Sequence, residues 1–175
     1  MRRNILVMLL FLFVVVISAS AVSPKQQQNK KNEVEILIKK ISRVDSPQID
    51  YTYVSCSMIQ RMFASLKLNM PVVEELLGSL KSIRSVSTQG RDGYTKVRKM
   101  IEPFLQEENE VMELSLISSS RENGIFTVLY ANDDCMLVVD DDGNTSISIV
   151  LIIGISYESY QKILEGGVDF IDINI

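Results

Sequence analysis

The most conspicuous group of chemically active side chains is the acidic run Asp140-Asp141-Asp142-Gly143-Asn144. Carboxylate and backbone oxygens in a loop are the ligands that Ca²⁺ prefers. An EF-hand loop with Gly143 at its sixth position would begin at Val138 and end at Ile149, where both residues must be acidic. The spacing therefore favours a polar hairpin turn over a calcium site, and we expect no metal-binding residues.

Two glutamate pairs, Glu74-Glu75 and Glu107-Glu108, are the other candidates for acid–base chemistry. Such chemistry needs two carboxyl groups that face each other across a cleft. These pairs are sequence neighbours near predicted helix ends, where the helix dipole and solvent explain them. The chain has no histidine, which removes the commonest general base and every Ser-His or Cys-His nucleophile pair. The sequence therefore indicates no catalytic residues and no cofactor.

Cys56 and Cys135 are the two cysteines of the chain. In an exported protein they could form a disulfide. Each also shares the face of a predicted strand with apolar or β-branched residues, which suits two buried thiols. Neither lies in a Cys-x-x-Cys motif, so thiol catalysis is not indicated. The spacing leaves the disulfide and the two separate thiols both open.

Tyr51 and Tyr53 alternate along a predicted strand over residues 49–55. Side chains two positions apart on a strand point to the same side, here together with Ser55. The two rings could form an exposed aromatic contact strip, or a helix could cover them. They are the candidate binding surface that the sequence offers.

The elements that must position these residues alternate between helix and strand in the first half of the chain. Apolar spacing and capping signals predict a helix from about 33 to 41, a strand at 49–55 and a helix opened and capped by Ser57. A short helix from Pro71 and a strand at 82–88 follow. The next helix is capped by Asp92, and Pro103 kinks or ends it early. In the first helix, Glu35 is placed to pair with Lys39 one turn later.

From Glu110 onward the apolar period changes from about 3.6 to 2 residues, which predicts strands. They begin near residues 110, 125, 135 and 145, and a last helix spans 157–164. Asn, Asp and Gly in the turns predict an antiparallel meander. The alternating tail at 168–175 could add an edge strand. The predicted class is α+β, with a mostly antiparallel sheet of about six strands, ending in a four-stranded meander, and helices packed on one face.

The N-terminal segment has the pattern of a secretory signal. Two arginines precede an unbroken apolar run at 5–17, and Ala19-Ser20-Ala21 supplies the small residues of a cleavage site. We predict a signal peptide over 1–21, a flexible linker over 22–32 and a single domain over 33–175. Cleavage after Ala21 removes the apolar run and leaves no stable membrane span. Retention of the run as an anchor is the alternative, although the run at 5–17 is short for a spanning helix, which needs about 20 apolar residues.

Composition narrows the class of partner. The 175 residues include 46% hydrophobic side chains, which is ample for a packed core, and 18 basic against 22 acidic side chains. Binding to nucleic acid needs a concentrated basic patch, and the basic residues here occur in small separate groups. Nucleic acid is therefore not an expected partner.

Three stretches carry a family resemblance: Tyr53-Val54-Ser55 followed by Ser57-Met58, the run Leu80 to Arg84, and the run Ile149 to Gly154. With the order of elements, they resemble an exported Bacteroidetes family of unknown function, number 4252, over about residues 33–164. The resemblance implies the fold, an envelope location and a role in envelope signalling, and it implies no functional residues. The chain lacks the lipobox cysteine that many members of that family carry.

Together these features predict an exported protein, periplasmic or envelope-associated and not a lipoprotein. Its expected activity is binding rather than catalysis, and its expected partner is an envelope protein. The alternatives are a small-ligand carrier, with the ligand between sheet and helices, and a hydrolase that works without histidine.

Overall fold

The structure of the protein, a computed structural model, describes residues 33–66 and 78–165. Its elements in chain order are α1 (Glu33–Ile41), β1 (Ile49–Ser55), α2 (Cys56–Leu66), β2 (Ser82–Thr88), α3 (Arg91–Leu105), β3 (Glu110–Val111), β4 (Leu114–Glu122), β5 (Ile125–Ala131), β6 (Cys135–Asp141), β7 (Ile147–Ile153) and α4 (Tyr157–Glu165). The predicted signal peptide, linker, helix from Pro71 and alternating tail lie outside these residues. None of the described helices is long and apolar enough to cross a membrane.

The strands form one sheet whose order, within the described residues, is β1-β2-β7-β6-β5-β4-β3. Every neighbouring pair is antiparallel. This arrangement confirms the predicted α+β class and the antiparallel meander, which runs from β4 to β7. The sheet has seven strands where about six were expected, because the short strand β3 pairs with the beginning of β4.

One face of the sheet is covered by α1 and α3, and we call it the α1/α3 face. Alternate residues of β5, β6 and β7 point to it and form one cluster with both helices. The cluster includes Ile38 of α1, Ile101 of α3 and Leu151 of β7, each exposed by no more than 1%. At one end the rings of Phe104 and Tyr130 meet edge to face, 5.2 Å between centroids. The burial of these side chains is the main source of stability of this layer.

The opposite face of the sheet is also covered by helices, so the prediction of helices on one face is wrong. Ile59 of α2 and Tyr160 of α4 pack there against Leu129, Met136 and Ile152. The reason is that the inner strands carry apolar residues on both sides. Near the end of β7, for example, Leu151 points to the α1/α3 face and Ile152 to the opposite face. A strand that is apolar on both sides needs a packing layer on each.

The helix α2 begins at Cys56, two residues after Val54, and its cap differs from the predicted one. Ser55 caps it, because its Oγ accepts a hydrogen bond from the Met58 N–H at 3.4 Å. The hydroxyl of Ser57, the predicted cap, instead lies 3.0 Å from the Ser55 hydroxyl. The capping pattern was therefore displaced by two residues, and β1 passes directly into α2.

The helix α3 begins at Arg91, and Gly90 occupies the cap position that was predicted for Asp92. Asp92 lies in the first turn and pairs with Lys96 at 2.8 Å. A carboxylate is favourable there because it faces the positive end of the helix dipole. The helix continues past Pro103 and ends two residues later, at Leu105, so the proline does not end it at its own position.

The acidic run forms the hairpin turn between β6 and β7, as predicted. Asp142 closes it: its Oδ1 accepts hydrogen bonds from the N–H groups of Asn144, Thr145 and Ser146 at 2.8 to 2.9 Å. These bonds, that from Ser146 above all, lower the pKa of the Asp142 carboxyl. Asp140 turns away and accepts a hydrogen bond from Thr127 at 2.7 Å. The aspartates therefore serve different partners and do not converge.

Replacing Asp142 by alanine tests this turn. We expect Asp142→Ala to lower the free energy of unfolding by about 1–2 kcal/mol, because three backbone donors lose a charged acceptor. Asp142→Asn, which keeps an acceptor oxygen, should cost less. The folded-state pKa is lowered, so the contribution is present above the unfolded pKa and disappears as the pH falls through the folded value. Denaturant unfolding at pH 7 and pH 3 measures both effects; an equal loss at the two pH values would contradict the assignment.

Two glycines provide a matched test of the close packing at the end of β7. Gly154 has φ +93, and a Cβ there would meet backbone atoms of Ser79 and Lys81, the latter N at 2.7 Å. Gly143 has φ +74 and open space around it. We expect Gly154→Ala to cost about 3 kcal/mol and Gly143→Ala about 1 kcal/mol. Thermal or denaturant unfolding of both variants decides, and similar losses would show that the close approach at Gly154 is not fixed.

Candidate interaction site

The strand β1 is an edge of the sheet. Within the described part of the chain it pairs with β2 and with no other strand. The pairing runs without interruption from Ile49 opposite Thr88 to Ser55 opposite Ser82. The strand has no lysine, no proline and no bulge, and Asp50 is its one charged residue. Lysines, prolines and bulges are the features by which natural proteins usually protect an edge strand, and β1 has none of them.

Two hydrogen bonds determine which backbone groups of β1 point away from the sheet. The Cys56 N–H donates to the Lys81 carbonyl at 3.1 Å just beyond one end of β1, and the Gln89 N–H donates to the Gln48 carbonyl at 2.8 Å just beyond the other end. Both bonds therefore join an even-numbered residue of this segment to its partner. Inward and outward backbone groups alternate along an antiparallel strand. The even-numbered residues of β1 therefore bond to β2, and the N–H and C=O groups of Tyr51 and Tyr53 point outward.

The other edge of the sheet is protected. A bulge between Leu116 and Ser118 interrupts β4, and β3 pairs with its first residues. The exposed end of β4 also carries the charged residues Arg121 and Glu122. Bulges and charges of this kind prevent edge-to-edge association. Of the two edges, β1 is therefore the one that suits the addition of another strand.

The side chains of Tyr51 and Tyr53 lie on the same side of β1, as predicted, and that side is the α1/α3 face. Their surroundings differ. Tyr51 is half-buried against the core, and its hydroxyl accepts a hydrogen bond from Arg84 at 2.9 Å. Tyr53 is 49% exposed, and the Arg84 guanidinium carbon lies 4.7 Å from its ring centroid. The two predicted alternatives therefore divide between the rings: the core covers much of Tyr51, and Tyr53 offers an exposed contact.

Arg84 links both tyrosines to helix α1. It stands directly opposite Tyr53 on β2, and its Nη2 donates to Glu35 Oε1 at 2.6 Å. Lys39 pairs with the same carboxylate at 2.8 Å, which confirms the predicted pairing one turn apart. The hydrogen bond from Lys39 and the charge of Arg84 lower the pKa of Glu35, against the opposing effect of burial. The carboxylate is therefore ionised at neutral pH and neutralises the buried guanidinium.

The Arg84 side chain is only 11% exposed, and its Nε has no hydrogen-bond partner among the described residues. A planar guanidinium held on both tyrosines fixes their positions better than a flexible ammonium would. The sequence reasoning missed Arg84 and its pairing with Glu35, because both depend on strand register. The signal that could have found Arg84 is its place in a predicted strand that pairs with the tyrosine strand.

The structure does not bring Cys56 and Cys135 together. Cys135 is buried on the α1/α3 face at the beginning of β6, and Cys56 is half-buried at the beginning of α2. Three strand spacings, about 14 Å, separate β1 from β6. The Cα atoms of a disulfide lie about 4.4–6.8 Å apart. At this separation Cys56 and Cys135 form no disulfide with each other, and Cys56 is only half-buried where the alternative expected two buried thiols.

Comparison with known proteins gives this site no precedent: no family model, no curated protein and no solved structure matches the chain. The resemblance to the exported Bacteroidetes family stays a prediction. The interpretation of the β1 edge therefore depends on its geometry, namely two outward-facing backbone segments beside an exposed ring.

Removing the carboxylate beside Arg84 tests the network. We expect Glu35→Ala to lower the free energy of unfolding by about 2 kcal/mol, because it leaves a mostly buried guanidinium without its counter-charge. Lys39→Ala removes the exposed partner of the same carboxylate and should cost less than about 0.5 kcal/mol. Denaturant unfolding at neutral pH compares them. A loss from Lys39→Ala as large as that from Glu35→Ala would mean that Arg84 is not the partner that matters.

Proposed function

We propose that the protein is a non-catalytic interaction module that binds an extended segment of another protein chain by adding it as a strand at the outer edge of β1. The observation that carries this proposal is the outward direction of the Tyr51 and Tyr53 backbone groups on a strand that pairs, among the described residues, with β2 alone. In strand addition, main-chain hydrogen bonds supply affinity, and the side chains beside them supply specificity.

The side chains next to the edge indicate what the added segment should contain. On the α1/α3 face an incoming residue meets the exposed Tyr53 ring. On the opposite face it meets Thr52 and Asp50, which are both exposed. Since successive residues of a strand point to opposite faces, a segment that alternates apolar or aromatic residues with polar or basic ones fits this edge.

The packing of the core supports binding at the edge over the carrier alternative. A carrier of the predicted kind would hold its ligand between the sheet and the helices. Ile38, Ile101 and Leu151 fill that space on the α1/α3 face, and each is exposed by no more than 1%. Interiors packed in this way contain few voids larger than a water molecule. A ligand there would have to displace core side chains.

The proposed location is the cell envelope, after export through the predicted signal segment. The N-terminal pattern and the family resemblance support it. We propose that the partner is an envelope protein and not nucleic acid, and that its binding serves envelope signalling.

Replacing Tyr53 by proline tests strand addition. The Tyr53 N–H points outward, so proline removes a donor for the incoming strand and leaves the bonds between β1 and β2 in place. We expect peptides selected on the wild-type protein from a random twelve-residue display library to bind Tyr53→Pro about tenfold or more weakly than Tyr53→Ala. Both variants lack the ring, so the comparison isolates the backbone N–H. Titration calorimetry with the selected peptides measures the difference.

The control for fold is Val54→Pro, in which proline removes a bond of the β1–β2 ladder and should destabilise the protein. Circular dichroism and thermal unfolding should show Tyr53→Pro close to Tyr53→Ala and well above Val54→Pro. Equal peptide affinities for Tyr53→Pro and Tyr53→Ala would contradict the proposed function.

A further inference from the structure

We propose that the strand added at this edge is β1 of a second copy of the chain, in a symmetric antiparallel pair whose two-fold axis passes through Thr52. This inference rests on the proposed function, because it uses the same outward backbone groups of Tyr51 and Tyr53, and it names the partner. The result is one continuous sheet across two protomers.

The register follows from the length and phase of β1. The strand spans Ile49–Ser55, and its midpoint is Thr52. An axis at Thr52 lets every residue of β1 pair, with Tyr51 opposite Tyr53 of the second copy. Because both tyrosines direct their backbone groups outward, they form a hydrogen-bonded pair in which each donates and accepts.

Neighbouring registers use the edge less well. An axis at Tyr51 leaves Val54 and Ser55 of β1 without a partner on the strand of the second copy. An axis at Tyr53 leaves Ile49 and the Asp50 end of the strand without a partner. The register centred on Thr52 is therefore the one that the whole strand supports.

The side chains match themselves in this register. On the α1/α3 face, Tyr51 lies beside Tyr53 of the second copy, and cross-strand aromatic pairs are favourable. On the opposite face, Thr52 meets Thr52 across the axis. Asp50, the one charge of β1, lies opposite Val54 and not opposite another acid. No like charges within β1 oppose the association.

The guanidinium beside the proposed contact has a counter-charge in its own protomer. Arg84 contacts both tyrosines, and a bare guanidinium on each side of the axis would repel the other. Glu35 neutralises it in each protomer at 2.6 Å. Arg84 therefore holds the aromatic rings in place with its own charge paired, and Lys39, the second cation on that carboxylate, is 51% exposed to solvent.

The extent of the contact sets its strength. A strand of seven residues is about 24 Å long. One added strand pair covers less than the roughly 800 Å² per partner of a standard stable interface. We therefore expect a reversible dimer that dissociates on dilution, so that the edge becomes available to other chains at low concentration.

A register-specific disulfide tests the proposal. Thr52 is exposed and faces its own copy in a non-hydrogen-bonded pair, where Cα atoms lie about 4.5 Å apart. We expect Thr52→Cys, in the protein purified as the cell exports it, to form covalent dimers under mild oxidation. Asp50→Cys and Val54→Cys should each fail to do so alone and should cross-link when mixed. The wild-type chain, with Cys56 and Cys135, is the blank.

Two results would overturn the dimer: cross-linking of Thr52→Cys no greater than the blank, or cross-linking of Asp50→Cys alone to the same extent. Sedimentation equilibrium gives a second readout, in which the wild type should dimerise with increasing concentration and Tyr53→Pro about tenfold more weakly than Tyr53→Ala. If the dimer fails while the selected peptides still distinguish Tyr53→Pro from Tyr53→Ala, the second copy is the wrong partner and strand addition stands. If both fail, the proposed function fails with it.

Discussion

The antiparallel pairing of β2 with β7 holds the two halves of the chain in one sheet. The meander β4 to β7 is formed by neighbours in sequence, whereas β2 comes from the helix–strand half and is separated from β7 by α3 and the strands β3 to β6. Successive residues of β7 are buried on opposite faces of the sheet: Leu151 lies under α1 and α3, and Ile152 lies under the helices of the other face. Because β7 occupies this inner position, β2 and the strand paired to it must lie outside it, and β1 becomes the edge.

The edge uses two tyrosines for two purposes at once. Their backbone groups point away from the sheet, and their side chains turn back to Arg84, which Glu35 ties to α1. An exposed edge strand is normally a risk for aggregation. For the strand addition proposed above, a fixed aromatic surface and a paired guanidinium beside the edge would supply selectivity, because only a segment with matching alternate side chains can use both the backbone and the rings.

The sequence was sufficient for features that local chemistry determines. The bounds of β1, the turns of the meander and the hairpin at Asp142 followed from residue types that favour strands or left-handed backbone angles. Features that depend on distant pairing could not be predicted in this way. The insertion of β2 beside β7, the second helical layer and the contact of Arg84 with Tyr53 all require the register of strands far apart in sequence. The family resemblance added an expectation of location and no site residues.

Residue-resolved amide hydrogen exchange of the dilute protein tests the central claim most directly, because it reports which backbone groups of β1 are bonded. The account predicts alternation along the strand, with the amides of Thr52 and Val54 protected by β2 and those of Tyr51 and Tyr53 exchanging rapidly. Protection of Tyr51 and Tyr53 equal to that of Thr52 in the monomer would contradict it, since the edge would then be covered by the chain itself and closed to any added strand.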